Sequence, residues 1–198
     1  MRVRAVSIVV AFLMAGITLN LGADVIRPEV RAIDEFPSAI GFYAGIISGT
    51  GMSYQKWTPS FGYQITAGAL YLPEGTGFGN LLDYSVGLQF QFPISGDDFS
   101  DRLAGQLYIF TGVNHSGYIP WVFSRGDDLD EPGTYSIGSY TPGVTVGAGF
   151  GIEVVLFRRF SIPFELGYAA SVYPLQLDDP VNAFAVRIAP QGGFRYRY

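Results

Sequence analysis

Apolar and polar residues alternate one for one through four long stretches of this chain, a period that belongs to β-strands with one greasy and one polar face. In "LDYSVGLQFQF" the even positions carry Leu82, Tyr84, Val86, Leu88, Phe90 and Phe92, and the odd ones Asp83, Ser85, Gly87, Gln89 and Gln91. "VTVGAGFGIEV" sets Val144, Val146, Ala148, Phe150, Ile152 and Val154 against Thr145, three glycines and Glu153. "FSIPFELGYAASV" sets Phe160, Ile162, Phe164, Leu166, Tyr168, Ala170 and Val172 against Ser161, Glu165, Gly167 and Ser171. The fourth stretch sets Phe184, Val186, Ile188, Phe194, Tyr196 and Tyr198 against Arg187, Gln191, Gly193, Arg195 and Arg197.

Eight such segments can be placed, at about 39–48, 51–57, 61–73, 81–94, 101–114, 143–157, 159–173 and 183–198. Several match the roughly 9 to 11 residues of a tilted strand that crosses a bilayer. An even number brings both ends of the sheet to one side, and the connections then alternate in length. "TPS", "SGDDFS" and "RRF" are tight, whereas "PEGTGFGN", the 28 residues from His115 to Pro142, and "PLQLDDPVN" are longer. The first hairpin is the weakest, because "SGTG" leaves both its strands short.

Alternation alone does not say which face meets water, and the contents of the faces decide it. Apolar residues make up 48% of the chain, aromatics 16% and charged residues only 15%, against a usual charged share of about 25%. A soluble barrel would turn its Gly, Ser, Gln and Thr outward, where they weaken strands and cover nothing. A narrow barrel in lipid wants the reverse, since about eight strands enclose only enough room for side chains. The expected fold is therefore all-β, an eight-stranded antiparallel up-and-down transmembrane β-barrel over 39–198. Arg102, Glu153, Glu165 and Arg187 fall on its polar face, and the expectation is an interior charge network, since buried charges persist only when paired. An acid and base pair doing chemistry is the competing reading of the same carboxylates.

The N-terminus supplies an address. Arg2 and Arg4 precede an apolar run from Ala5 to Ile17, and "NLGA" ends in small residues at Ala23. Residues 1–23 are expected to be a cleavable signal peptide, with a retained anchor as the alternative, and 24–38 a periplasmic lead-in or a short plug. The chain has no Cys, so disulfides and thiolate metal sites are out. Without Arg2 and Arg4 its net charge moves from −5 to −7, and a nucleic-acid role is not expected. Tyr54, Trp57, Tyr63, Tyr71, Phe92, Trp121, Tyr168, Tyr196 and Tyr198 are candidates for aromatic belts at the two membrane interfaces.

"QGGFRYRY" carries aromatics at Phe194, Tyr196 and Tyr198, as a strand paired to its end would. The octet resembles the C-terminal signal of bacterial outer-membrane barrels, with Gln191, Gly193, Tyr196 and Tyr198 at the four marked positions. Terminal Tyr in place of the commoner Phe is a mild departure from it. Together with the strand pattern, the resemblance to small OmpA-like and OmpX-like barrels spans nearly all of the chain after residue 23. It implies an outer-membrane location, a monomer in outer-membrane lipid, and recognition by the barrel-assembly machinery and periplasmic chaperones.

No catalytic signature is present, and no cofactor or metal site is expected. His115 is the only His, so His clusters for metal are excluded. Outer-membrane lipid A deacylases, small barrels with a His and a Ser two residues later, are a remote alternative; here Gly117 stands at that place and Ser116 faces the other way. Arg125, Gly126 and Asp127 form an RGD triplet that resembles an integrin-recognition sequence and would suit host contact, while Asp127, Asp128, Asp130 and Glu131 lack a defined calcium-loop spacing. The expected role is structural or surface-exposed. The alternative is a small channel or transporter for hydrophobic or small solutes, as in OmpW-like barrels, with Pro163 as a candidate opening in the wall.

Overall fold

The computed structural model describes residues 30–73, 80–124, 133–173 and 184–198. Its strands are β1 (Ser38–Ala44), β2 (Gly51–Trp57), β3 (Gly62–Tyr71), β4 (Asn80–Ser100), β5 (Leu103–Ser124), β6 (Thr134–Ile137), β7 (Thr141–Leu156), β8 (Phe160–Val172) and β9 (Phe184–Arg197). Among the described residues a short helix, α1 (Ala32–Glu35), precedes them. Each strand of the ring pairs antiparallel with its neighbours in the order β1, β2, β3, β4, β5, β7, β8, β9, and β9 pairs back with β1. The protein is an eight-stranded up-and-down barrel, with β6 added only to the far end of β5.

The ladder can be followed once around the wall, through Arg195, Gly41, Ser53, Thr66, Gly87, Asn114, Thr145, Ser171 and Ala185. It returns to β9 ten residues from where it left. That stagger fixes the strand tilt at about 40° from the barrel axis. It also means that the hydrogen-bonding line climbs as it passes from β9 through β1 to β3.

The two faces separate as alternation requires. Phe42, Ile65, Val86, Phe150, Leu166, Ile188 and Phe194 point outward and are exposed, while Gln55, Gln64, Gln89, Gln91, Glu153 and Arg195 point inward and are buried. Large apolar side chains thus cover the outside, and hydrogen-bonding groups fill the inside.

Several expected boundaries move. "SGDDFS" is strand, not turn: β4 runs on to Ser100, with register shifts between Pro93 and Ser95 and between Asp98 and Ser100. The extra residue resets the alternation, so the inward side is odd-numbered at Gln91 and even-numbered at Asp98. The turn is instead at Asp101 and Arg102. β5 likewise continues ten residues past the expected end, to Ser124. β1 is shorter than expected and ends at Ala44. Trp57, expected in an interfacial belt, points into the lumen and is buried.

At the end where β1 begins and β9 finishes, residues 30–37 fold beneath the barrel. Ala32 and Ile33 of α1 are buried in one apolar cluster with Trp57, Ala104, Tyr108 and Val155. A clasp holds them there: Asp98 accepts from the Ala32 N–H at 2.9 Å, and Arg158 bridges Asp98 at 3.1 Å, Glu35, and the Val30 carbonyl at 2.7 Å. The Glu35 hydrogen bond raises the Arg158 guanidinium above its usual range, and Asp34 does the same for Arg31. Arg158 and its neighbour Phe157 adopt positive φ of 62° and 51° in the β7–β8 turn, a conformation that costs an L-residue about 1–2 kcal/mol. Arg158→Ala is expected to cost about 1 kcal/mol, because the ion pairs are partly exposed. Hydrogen exchange at Phe36 N–H, which bonds the Ala32 carbonyl at 3.0 Å, should quicken in that variant, and high salt should narrow its difference from the parent protein.

Candidate functional site

The lumen holds two carboxylates with different kinds of partner. Glu153, on β7, accepts from Trp57 Nε1 at 3.1 Å, Gln55 Nε2 at 3.1 Å and the Ser161 hydroxyl. Arg197 NH1 lies 3.4 Å from it and Arg195 NH1 3.9 Å. All three charged side chains are fully buried. Arg195 is further fixed by Ser53, Gln64 and the face of Tyr43, whose ring centroid is 4.9 Å from its Cζ.

Among the described residues no arginine hydrogen-bonds Glu165, on β8. Its Oε1 accepts from Tyr108 OH at 2.6 Å, Gln89 at 2.7 Å and Gln91 at 3.3 Å; its Oε2 accepts from Tyr43 OH and Gln191, both at 2.5 Å. Five neutral side chains surround one buried carboxyl group. Gln55 donates to Gln91 at 2.8 Å and so joins the two clusters. With both carboxylates engaged in this way, the arrangement is suited to filling space and fixing strands.

Above these clusters the connection between β1 and β2 turns into the barrel. Ile47 is completely buried, and a Cβ on Gly112 or Gly147 would lie 3.1 or 2.7 Å from its side chain. The Ser48 carbonyl sits where a Cβ on Gly87 would be, at 2.2 Å. These lumen-facing glycines give the segment its room. Side chains from three strands hold it: Gln191 accepts from Ile47 N–H at 3.3 Å and donates to Ser48 at 2.9 Å, Asn114 donates to the Ile46 carbonyl at 3.2 Å, and Ser85 accepts from Thr50 N–H at 3.1 Å. Gly49 and Gly51 have φ of 86° and 141°, and other residues would be strained at both places. Among the described residues the lumen is therefore occupied at three levels, by α1, by the charged clusters and by this inward loop.

Of the four expected network residues, Glu153 and Glu165 lie at its centres, and Arg102 and Arg187 do not belong to it. Arg102 is exposed in the turn that follows the lengthened β4. Arg187 is on the inward face of β9, but it lies near the far mouth, is exposed, and touches Ser171 Oγ at 3.3 Å. Arg195 and Arg197 take their places. The alternation put both on the polar face, and following the register from β9 to β8 and β7 brings them beside Glu153. Tyr43, Tyr108 and the inward loop carried no signal in the alternation beyond the spare "SGTG".

Gln191 is a lumen residue bonded to Glu165, and Gly193 packs against β1, where a Cβ would meet the Phe42 carbonyl at 2.3 Å. Tyr196 and Tyr198 face outward, and the Tyr198 N–H bonds the Ser38 carbonyl at 2.9 Å across the closing seam. His115 also faces outward and shares a 2.9 Å hydrogen bond with Tyr84 OH; Ser116 turns inward. Pro163 interrupts the β8–β9 ladder, which has no pairs between Ser161 and Phe164, but its backbone stays paired with β7 opposite Glu153. Arg125, Gly126 and Asp127 lie outside the described residues, as do 1–29 with the expected signal peptide, and Asp128, Asp130 and Glu131.

No protein-family model matches the chain, and no curated protein matches it. Among solved structures, the fold is similar to the N-terminal β-barrel domain of Pseudomonas aeruginosa OprF, at 10% identity and a TM-score of 0.44, over 81% of this chain and 95% of that one.

Proposed function

We propose that this protein is an integral outer-membrane barrel, structural or surface-exposed, with no catalytic step and with a lumen sealed against solutes. The observation that carries this is the inversion of the usual soluble pattern: the outer wall is clothed in exposed Phe, Leu, Ile and Val, while Gln, Glu and Arg are buried within. In water that exterior would be an aggregation hazard; in lipid it is the favoured surface. The end with α1 and the tight turns is then periplasmic, and the long hairpin of β5 and β6 faces outward. Any adhesion or host contact belongs to the connections on that side, the RGD triplet 125–127 among them.

On the same reading Gln191, Gly193, Tyr196 and Tyr198 serve twice, as wall residues and as the mark recognised by the assembly machinery after periplasmic chaperones deliver the chain. The channel alternative is disfavoured by the three-level filling of the lumen, and the lipid A enzyme alternative by the opposite facing of His115 and Ser116.

Detergent-refolded protein is expected to run faster on a gel unheated than boiled, to fractionate with the outer membrane, and to show no steady conductance in planar bilayers. Recovery as a soluble periplasmic protein would refute the membrane assignment. A stable open channel would refute the seal alone.

A further inference from the structure

The wall of the barrel is not equally high all round. β1 and β2 have seven residues each, short of the roughly 9 to 11 that a tilted strand needs to cross the bilayer. β1 has its last β9 partner at Ala44, opposite Gly192, and β2 its last β3 partner at Met52, opposite Ala67. Beyond those points β9 continues for eight residues, to Phe184, and β3 for four, to Tyr71. Among the described residues neither has a strand partner on the side facing the other.

The outward apolar band does not stop where the hairpin stops. Phe184, Val186 and Ile188 on β9 are exposed and apolar well above Ala44. The gap therefore lies at the depth of the outer leaflet, and it is two strands wide, at about 4.8 Å for each. Pro190 stands on β9 just beyond the last β1 partner, a residue with no N–H to donate and one that sheets admit at edges.

Below the gap lies the inward loop, with Gly45 against Gln191 and Thr50 against Gly68. Leu70 is on the inward face of β3, yet it is 57% exposed, an apolar side chain with no core to cover it. Arg187 is on the inward face of β9 at the opposite border, exposed and held by one hydrogen bond to Ser171. Asp83, on β4, takes a hydrogen bond from Asn80. Arg187 thus places a cation on the β9 border of the gap, with its guanidinium toward Ser171 of β8.

We propose that this gap is a lateral binding site for an anionic amphiphile from the outer leaflet, with its acyl chain between β9 and β3 and its carboxylate or phosphate head on Arg187. The inference rests on the outer-membrane assignment. It adds to it a site that opens sideways into lipid while the lumen below stays shut.

The chain has no Cys, so single reporters can be placed cleanly. Leu70→Cys and Val146→Cys, the latter on an unbroken part of the wall, would each carry a fluorophore in protein refolded into phosphatidylcholine vesicles. Terminally brominated dodecanoate should quench the label at 70 saturably and that at 146 only in proportion to bulk partitioning. Arg187→Gln should raise the half-saturating concentration about tenfold, as loss of a charge-assisted contact does, and the methyl ester should bind as weakly. Brominated dodecyl phosphate, compared with dodecanoate, separates the two head chemistries. Equal quenching at 70 and 146, or indifference to Arg187→Gln, would overturn the site while leaving the barrel assignment intact. Loss of the heat-dependent gel shift in the unlabelled protein would overturn both.

Discussion

Glu153→Ala should cost about 3–5 kcal/mol of folded stability, the range for removing one partner of a buried ion cluster. The reason lies in what remains: Arg195 and Arg197 are both fully buried, and Glu153 is the acid that both meet. Three of their nitrogens, Arg195 NH1 and Arg197 Nε and NH2, have no hydrogen-bond partner among the described residues. Taking away the carboxylate would also orphan Trp57 Nε1 and the Ser161 hydroxyl. Urea titration of protein refolded into vesicles should show a lowered midpoint, with Glu153→Gln intermediate. A triple replacement, Glu153→Met with Arg195→Met and Arg197→Leu, should recover most of the loss, because apolar substitutes owe no desolvation. If the triple variant is as unstable as Glu153→Ala, the cost comes from packing and the electrostatic account fails.

Gly87→Val is expected to drive the inward loop out of the lumen. A Cβ there would lie 2.2 Å from the Ser48 carbonyl oxygen and 2.7 Å from Gly49 N, backbone atoms that cannot turn aside as a side chain does. Expulsion would forfeit the burial of Ile47, about 2–5 kcal/mol if it equals truncation of a buried isoleucine, together with the Gln191 and Asn114 bonds. The check is a double-mutant cycle. Replacing Ile47 and Ser48 by glycines should be destabilising alone, and Gly87→Val should then add little, since neighbours acting through one contact are not additive. Full additivity would mean that the valine harms the β3–β4 wall directly and leaves the loop in place.

Ring, strand number and facing follow from alternation, because a period of two leaves each residue one of two sides and the apolar set is unambiguous from Leu82 to Phe92. Alternation is blind to a shift of phase. The Pro93–Ser95 bulge carried β4 past the apparent turn at "SGDDFS", and Arg102 went with it. Nor does facing give depth. Arg187, Arg195 and Arg197 share one side of β9, and only the register from β9 through β8 to β7 puts the last two beside Glu153 and leaves the first at the mouth. Trp57 misled because an aromatic at a strand end suits a membrane interface, whereas here its indole N–H has a buried carboxylate to meet. The inward loop was the least legible part. Its shape comes from glycines on three other strands, which in sequence look only like gaps in the polar face.

The inward loop belongs to the earliest hairpin in the chain, yet it is tied to Gln191, 144 residues from Ile47 and 143 from Ser48. Contacts of such separation form late, after the chain between them has been brought into register. The hairpin of β1 and β2 can pair early, but its connection gains the two Gln191 hydrogen bonds only when β9 arrives and the seam is joined. The expected order is therefore that the turn made first in the chain is among the last parts of the barrel to be locked in place.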